Sequence, residues 1–144
     1  MQNIIRFTLL TASIGGGFMG SAITLNYFLD SNRLALGGAI ANGLALTAFL
    51  YTLYAGLQFS KSAVNTKQLY RAFLLQIPWL SSPILTYKVG AGFFLYLMYS
   101  SQGSKYLVGF GANYSLAIFS DRPWGIGVNF AAIGFLALMK LYKK

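Results

Sequence analysis

Few side chains in this sequence could do chemistry, and most of them interrupt long apolar segments. Four polar residues stand out in this way: Asn42, Lys88, Asn113 and Asn129. An amide or ammonium group in an apolar environment is costly unless it has a partner or faces water. One hypothesis is therefore a polar path, lined by these four residues, through a pore or carrier. The competing interpretation is that the amides fix interhelical contacts and that Lys88 extends from a segment boundary to lipid headgroups.

The inventory of groups for acid–base or metal chemistry is nearly empty. The chain has no His and no Cys, and its two acids are Asp30 and Asp121. General acid–base catalysis needs a group that titrates near the working pH, and His is the commonest metal ligand. Asp121 and Arg122 could together bind an anion, but a Ser-Asp-Arg-Pro stretch is also a common turn. We expect no enzyme, no catalytic residue, no cofactor and no metal.

The composition predicts an integral membrane protein. Hydrophobic residues make up 56% of the 144 residues and charged residues 9%, against about 25% charged in soluble domains. Residues 7–29 and 34–60 contain no charged side chain, and a helix needs about 20 apolar residues to cross the hydrocarbon. We expect one membrane domain over 1–144, with transmembrane helices at 7–29 and 34–59 forming an N-terminal hairpin (7–59).

The net charge of +9 comes from cations at the ends of apolar segments. That distribution is typical of topology signals and anionic-lipid contacts rather than of nucleic-acid binding. We expect a cytoplasmic-type (inner or plasma) membrane with both termini cytoplasmic, and anionic headgroups as partners. The cations cluster in a basic, lipid-facing connecting loop over 60–71 and at the C-terminus: Lys61, Lys67 and Arg71, and Lys140, Lys143 and Lys144.

Beyond residue 71 the sequence supports two folds. The apolar segments of 72–144 are short, and Pro78 and Pro83 would break or kink a helix. The favoured fold is an all-α multi-pass bundle of four to six membrane segments. The alternative is membrane β-strands or a barrel in 84–142, because bulky residues alternate with small or polar ones at a period of two, with turn residues between the runs. The apolar run before Lys61 and the basic C-terminus weigh against a barrel.

No motif in the chain identifies a ligand or reaction. The function we expect is a structural or assembly subunit of a larger membrane complex, in contact with other membrane subunits or with copies of itself. Two alternatives remain at the level of sequence. One is a small oligomeric pore or transporter lined by Asn residues, and the other is an outer-membrane-type β-barrel protein.

Overall fold

The computed structural model describes residues 2–29, 36–62, 64 and 66–142; Asp30, Lys143 and Lys144 lie outside them. A π-helical turn, Thr11–Gly15, joins the first two helices into one continuous helix. The helices are α1 (Gln2–Leu10), α2 (Gly16–Leu29), α3 (Leu36–Lys61), α4 (Lys67–Leu74) and α5 (Phe130–Tyr142). The strands are β1 (Pro78–Ser81), β2 (Leu85–Ser100), β3 (Gly103–Ile118) and β4 (Gly125–Asn129).

The all-α multi-pass prediction is wrong, because strands β1 to β4 form an antiparallel sheet. Among the described residues, two helices, Gln2–Leu29 and Leu36–Lys61, are long and apolar enough to cross a membrane, not four to six. A signal sequence or a buried core helix can have the same length and composition. Strands β2, β3 and β4 lie within 84–142, but residues 130–142 form α5. Because β3 pairs only with β2 among the described residues, the sheet is not a closed barrel either.

The sheet is built on a long hairpin. Strands β2 and β3 pair without interruption from Leu85↔Ile118 to Ser100↔Gly103. The period-two pattern explains this element, since alternate residues of a strand point to opposite faces. Gly103, with φ +103°, closes the hairpin turn in a conformation that other residues rarely adopt.

Strand β2 bends sharply along its length. Its beginning pairs antiparallel with β1 at Thr86 and Tyr87, and its end pairs antiparallel with β4 from Tyr96 to Ser100. Strands β1 and β4 are also antiparallel to each other, so a straight β2 could not pair antiparallel with both, and its two halves must diverge in direction. The bend is centred on the directly paired Gly92 and Gly111, whose φ angles are +83° and +110°. The hairpin is therefore curled, with a concave and a convex face.

The helices cover the convex face at one end of the sheet. Ala45 and Phe49 of α3 pack on Val89 and Ala91 of β2. The π-helical turn and the start of α2 cross the bend itself, and a Cβ on Gly16 would come 2.0 Å from the backbone nitrogen of Gly92. Helix and strand backbones are thus in direct contact at this point.

A second core lies at the end of the helical hairpin that contains both described termini. It joins α1, the end of α3, α4 and α5, and Phe73 stacks on Phe135 with ring centroids 4.8 Å apart. Arg6 donates a hydrogen bond to the carbonyl of Ser60 at 2.9 Å, which fixes the start of α1 beside the end of α3. We call this region the basic end, because five cations lie on its elements: Arg6, Lys61, Lys67, Arg71 and Lys140.

Candidate functional site

The concave face of the sheet gathers polar groups that lie far apart in the sequence. Lys88 pairs directly with Ser115, and Gly90 pairs with Asn113, so Lys88, Asn113 and Ser115 share this face. Arg122 donates a hydrogen bond to the Ser115 hydroxyl at 2.7 Å. The buried Oδ1 of Asn113 accepts no hydrogen bond from the described residues. Two cations and an unpartnered amide oxygen therefore converge here.

Within the described part of the chain, no acidic side chain pairs with Lys88. Its ammonium lies 6.0 Å from the centroid of the Tyr96 ring, at the outer limit of a cation–π contact. Burial, and then the positive charge of Arg122, lower the pKa of Lys88. The face can attract an anion electrostatically, but within the described residues no group of three His, Cys, Asp or Glu could hold a metal ion.

Asn129 has a structural role in the middle of β2. Between Tyr87 and Tyr96 the edge of β2 opposite β3 has no strand partner among the described residues. The Leu95 N–H donates instead to Asn129 Oδ1 at 3.1 Å, and the Ala91 N–H donates to Gln76 Oε1 at 2.9 Å. Both side chains are buried, and they supply the acceptors that a neighbouring strand would otherwise provide.

Tyr96 is a third side chain that takes the place of a strand partner of β2. Its hydroxyl donates to the Val89 carbonyl at 2.6 Å, across the bend of the same strand. Gly90 lies beneath this ring, since a Cβ on it would come 3.1 Å from the Tyr96 hydroxyl. Tyr96 therefore both fills the concave face and satisfies a backbone carbonyl.

Asn42 lies elsewhere, between α3 and the convex face. Its Oδ1 accepts a hydrogen bond from the Tyr114 hydroxyl at 2.6 Å, and its Nδ2 donates to the Gly38 carbonyl at 2.8 Å. Tyr114 also makes an edge-on contact with Phe49, with ring centroids 5.9 Å apart. Asn42 thus fastens the helical hairpin to the sheet.

The structure therefore brings Lys88, Asn113 and Asn129 to one face and places Asn42 on the other. The chain matches no protein-family model, no curated protein and no solved structure. Roles for these residues consequently rest on their own contacts. Asn129 bonds to the protein through its Oδ1, while its buried Nδ2 has no hydrogen-bond partner among the described residues. Because Asn42 lies on the opposite face of the sheet, the four polar residues do not share one surface.

The predicted basic loop is largely helical. Helix α3 continues to Lys61 and α4 begins at Lys67, so Lys67 and Arg71 project from α4 rather than from a loop. A cavity of about 650 Å³ lies between α4 and α5 and is lined by both of these cations and by Lys140. We call it the α4–α5 groove. The sequence showed the cations but not the cavity, which requires α5 to pack beside α4.

The other large feature is an apolar surface on the part of the convex face that the helices leave uncovered. Phe93 pairs directly with Phe110, Leu95 with Val108 and Leu97 with Tyr106, so three successive cross-strand pairs on this face are apolar. Tyr106 is 79% exposed and Phe110 is 73% exposed. We call this the convex apolar face; its exposed members are Phe93, Leu97, Tyr99, Tyr106, Val108, Phe110 and Ile126.

Proposed function

We propose that this protein is a non-enzymatic structural or assembly subunit of a larger membrane complex, and that it joins a neighbouring subunit through strand β3. The observation that carries the proposal is the free edge of β3. This strand is 16 residues long and pairs only with β2 among the described residues. About half of the backbone N–H and C=O groups of an edge strand point away from its neighbour and are open to pairing.

The sequence of β3 lacks the features that usually protect such an edge. Edge strands are commonly blunted by charged side chains, proline or short length. Here Lys105 is the single charged residue of the strand, and no proline occurs in it. In lipid an open edge leaves costly unsatisfied groups, and in water it is a template for aggregation. Either environment favours a permanent strand partner.

The convex apolar face supports the same proposal. Contiguous apolar patches of this kind mark contacts with other proteins or with membranes. Val108 and Phe110 belong to β3 itself, so a strand paired with β3 would extend this face rather than leave it isolated. The partner we infer is an extended segment with apolar side chains.

A membrane location is the second part of the proposal. The helices Gln2–Leu29 and Leu36–Lys61 meet the length and hydropathy required of membrane spans. Many of their large apolar side chains are exposed in the described structure, among them Phe7, Phe18 and Leu44. A soluble core helix would bury these side chains, whereas lipid would cover them.

Site-specific cross-linking tests the strand partner. The chain has no cysteine, so a single cysteine introduced at each position from Ser104 to Phe110 is unique. If β3 pairs with β3 of a second copy about a twofold axis, disulfide-linked dimers should peak at one position, because only the residue on the axis faces its own counterpart. Cysteine in place of Val89, which is buried under α3, is the matched control.

A photo-reactive amino acid at Val108 or Phe110 then identifies a partner of a different kind. An adduct of fixed mass at these positions, absent when the same group replaces the exposed Leu25 of α2, supports pairing with another subunit. Absence of both dimers and specific adducts, together with a monomeric mass in native membranes, would show that the edge has no partner and would remove the proposal.

A further inference from the structure

The α4–α5 groove is lined by one stripe of each helix. On α4 the lining residues recur at the spacing of a single helix face, i, i+3, i+4 and i+7: Lys67, Tyr70, Arg71 and Leu74. The opposite face of α4, with Leu69 and Phe73, is buried in the core of the basic end. Helix α4 therefore has a buried apolar face and a second, mixed face that no other described element covers.

The walls of the groove combine two chemistries. Tyr70, Leu74, Leu136 and Met139 supply apolar surface, with Tyr70 and Leu74 more than 40% exposed. A volume of about 650 Å³ falls within the usual range for small-molecule sites. The groove can thus accept a hydrocarbon chain along its length.

Three cations line the same groove, and no acid does. Lys67 and Arg71 project from α4 and Lys140 from α5, all of them exposed. Three like charges around one cavity repel one another unless an anion is bound among them. The groove therefore selects for a molecule with an anionic head and an apolar tail.

We propose that the α4–α5 groove binds one anionic phospholipid, with its phosphate held by Lys67, Arg71 and Lys140 and an acyl chain against Leu74 and Leu136. Basic pockets between membrane helices bind anionic lipid headgroups in this way. The inference rests on the proposed membrane location. It assigns a defined site to a lipid, beyond a diffuse attraction between the basic end and the membrane surface.

Native mass spectrometry of the full-length protein in neutral detergent tests the site. We expect one phosphatidylglycerol to be retained, and phosphatidylcholine to be retained at least tenfold more weakly. The variant K67Q/K140Q should weaken phosphatidylglycerol binding roughly tenfold to thirtyfold, since each cation near an anionic headgroup contributes about a fivefold effect. The control K61Q/K105Q removes two lysines outside the groove and should change binding less than twofold.

A variant that fills the groove tests the contact with the acyl chain separately from the contact with the headgroup. L74W adds bulk at a half-exposed lining position without changing charge, and it should also lower phosphatidylglycerol retention at least fivefold. Glycerophosphate, the headgroup without tails, should not compete at the same concentration. Equal losses in K61Q/K105Q, unchanged binding in L74W, or competition by glycerophosphate would each overturn the lipid site. If the site fails while cross-links at Val108 persist, the subunit proposal stands.

Discussion

At the scale of single residues, buried side chains replace a missing strand in the middle of β2. Gln76 and Asn129 accept hydrogen bonds from the Ala91 and Leu95 amides, and Tyr96 donates to the Val89 carbonyl. An unsatisfied buried amide costs about 1–3 kcal/mol, so the bend in β2 depends on these contacts. A polar side chain in an apolar segment is here part of the backbone hydrogen bonding of the sheet.

Replacing Asn129 by Leu should therefore destabilise the fold by about 1–3 kcal/mol, because the Leu95 N–H loses its acceptor while the side-chain volume is kept. The free energy of unfolding, measured by SDS titration with circular dichroism, checks this. Asn113→Leu is the matched control on the same face: the buried Oδ1 that it removes has no partner among the described residues, so we expect no loss of stability and a gain of up to about 1–3 kcal/mol. Equal losses in both variants would contradict the assigned role of Asn129.

The sequence singles out Asn129 but does not predict that it accepts a hydrogen bond from the Leu95 amide. The residue is conspicuous because it follows an alternating apolar run, and its burial is a natural consequence. Gln76 escaped notice because it precedes Pro78 in a stretch that resembles an ordinary segment end. Its partner, the Ala91 amide, lies 15 positions along the chain, and nothing local in the sequence records that distance.

At the scale of elements, the first helix contacts the bend of β2 through its backbone. A Cβ on Gly16 would meet backbone atoms of Gly92 at 2.0 Å and of Ala91 at 2.5 Å. A Cβ on Gly92 would in turn lie 2.5 Å from the Cα of Ala12. Backbone atoms cannot rotate away as a flexible side chain can. Positions 16 and 92 therefore have room only for glycine.

Gly16→Ala should consequently destabilise the protein by about 3 kcal/mol, since it separates helix and sheet at the bend. Gly15→Ala is the control one position earlier, where a Cβ would meet nothing within 4 Å. That variant should be neutral or up to about 1 kcal/mol more stable, because alanine loses less backbone entropy than glycine in a helix. Thermal unfolding of the two proteins in detergent compares them; similar midpoints would show that the helix can shift away from the strand at no cost.

The elements differ in how far the sequence could predict them. The uncharged runs of 7–29 and 34–60 are long enough to suggest helices, and helices occur over most of both. The period-two alternation in 85–118 correctly describes the two faces of β2 and β3, but the all-helical interpretation outweighed it. The sequence did not reveal β1, which begins at Pro78, or the helices that cover part of one face of the sheet.

At the scale of the whole molecule, the pairing of distant segments could not be predicted from local sequence patterns. Trp79 pairs with Gly127, and this pairing depends on the β2–β3 hairpin bending at Gly92 and Gly111. Glycines in an alternating segment do not by themselves reveal a bend of this size. The distribution of charge is simpler to explain. The cations of α1, α3, α4 and α5 lie at one end of the molecule because those four elements share a core.

This asymmetry gives the molecule a predicted orientation in a membrane. Cations are enriched on the cytoplasmic side of membrane proteins, and Arg6, Lys61 and Lys67 all belong to the basic end. Helix α3 runs from Leu36 to Lys61, 26 residues, so its two ends are about 39 Å apart. If α3 spans the bilayer, Ser62 should face the cytoplasm and Leu36 the opposite side.

Single cysteines at these two positions of the cysteine-free chain test the orientation. In intact cells, a membrane-impermeant maleimide should label Leu36→Cys and leave Ser62→Cys unlabelled, while permeabilised cells should allow labelling of both. The reverse pattern would contradict the inferred direction but retain a spanning helix. Labelling of both positions in intact cells, or of neither, would mean that the ends of α3 lie on the same side, and α3 would then not be a membrane span. Because both residues flank the same rigid helix, the comparison does not depend on where the sheet lies.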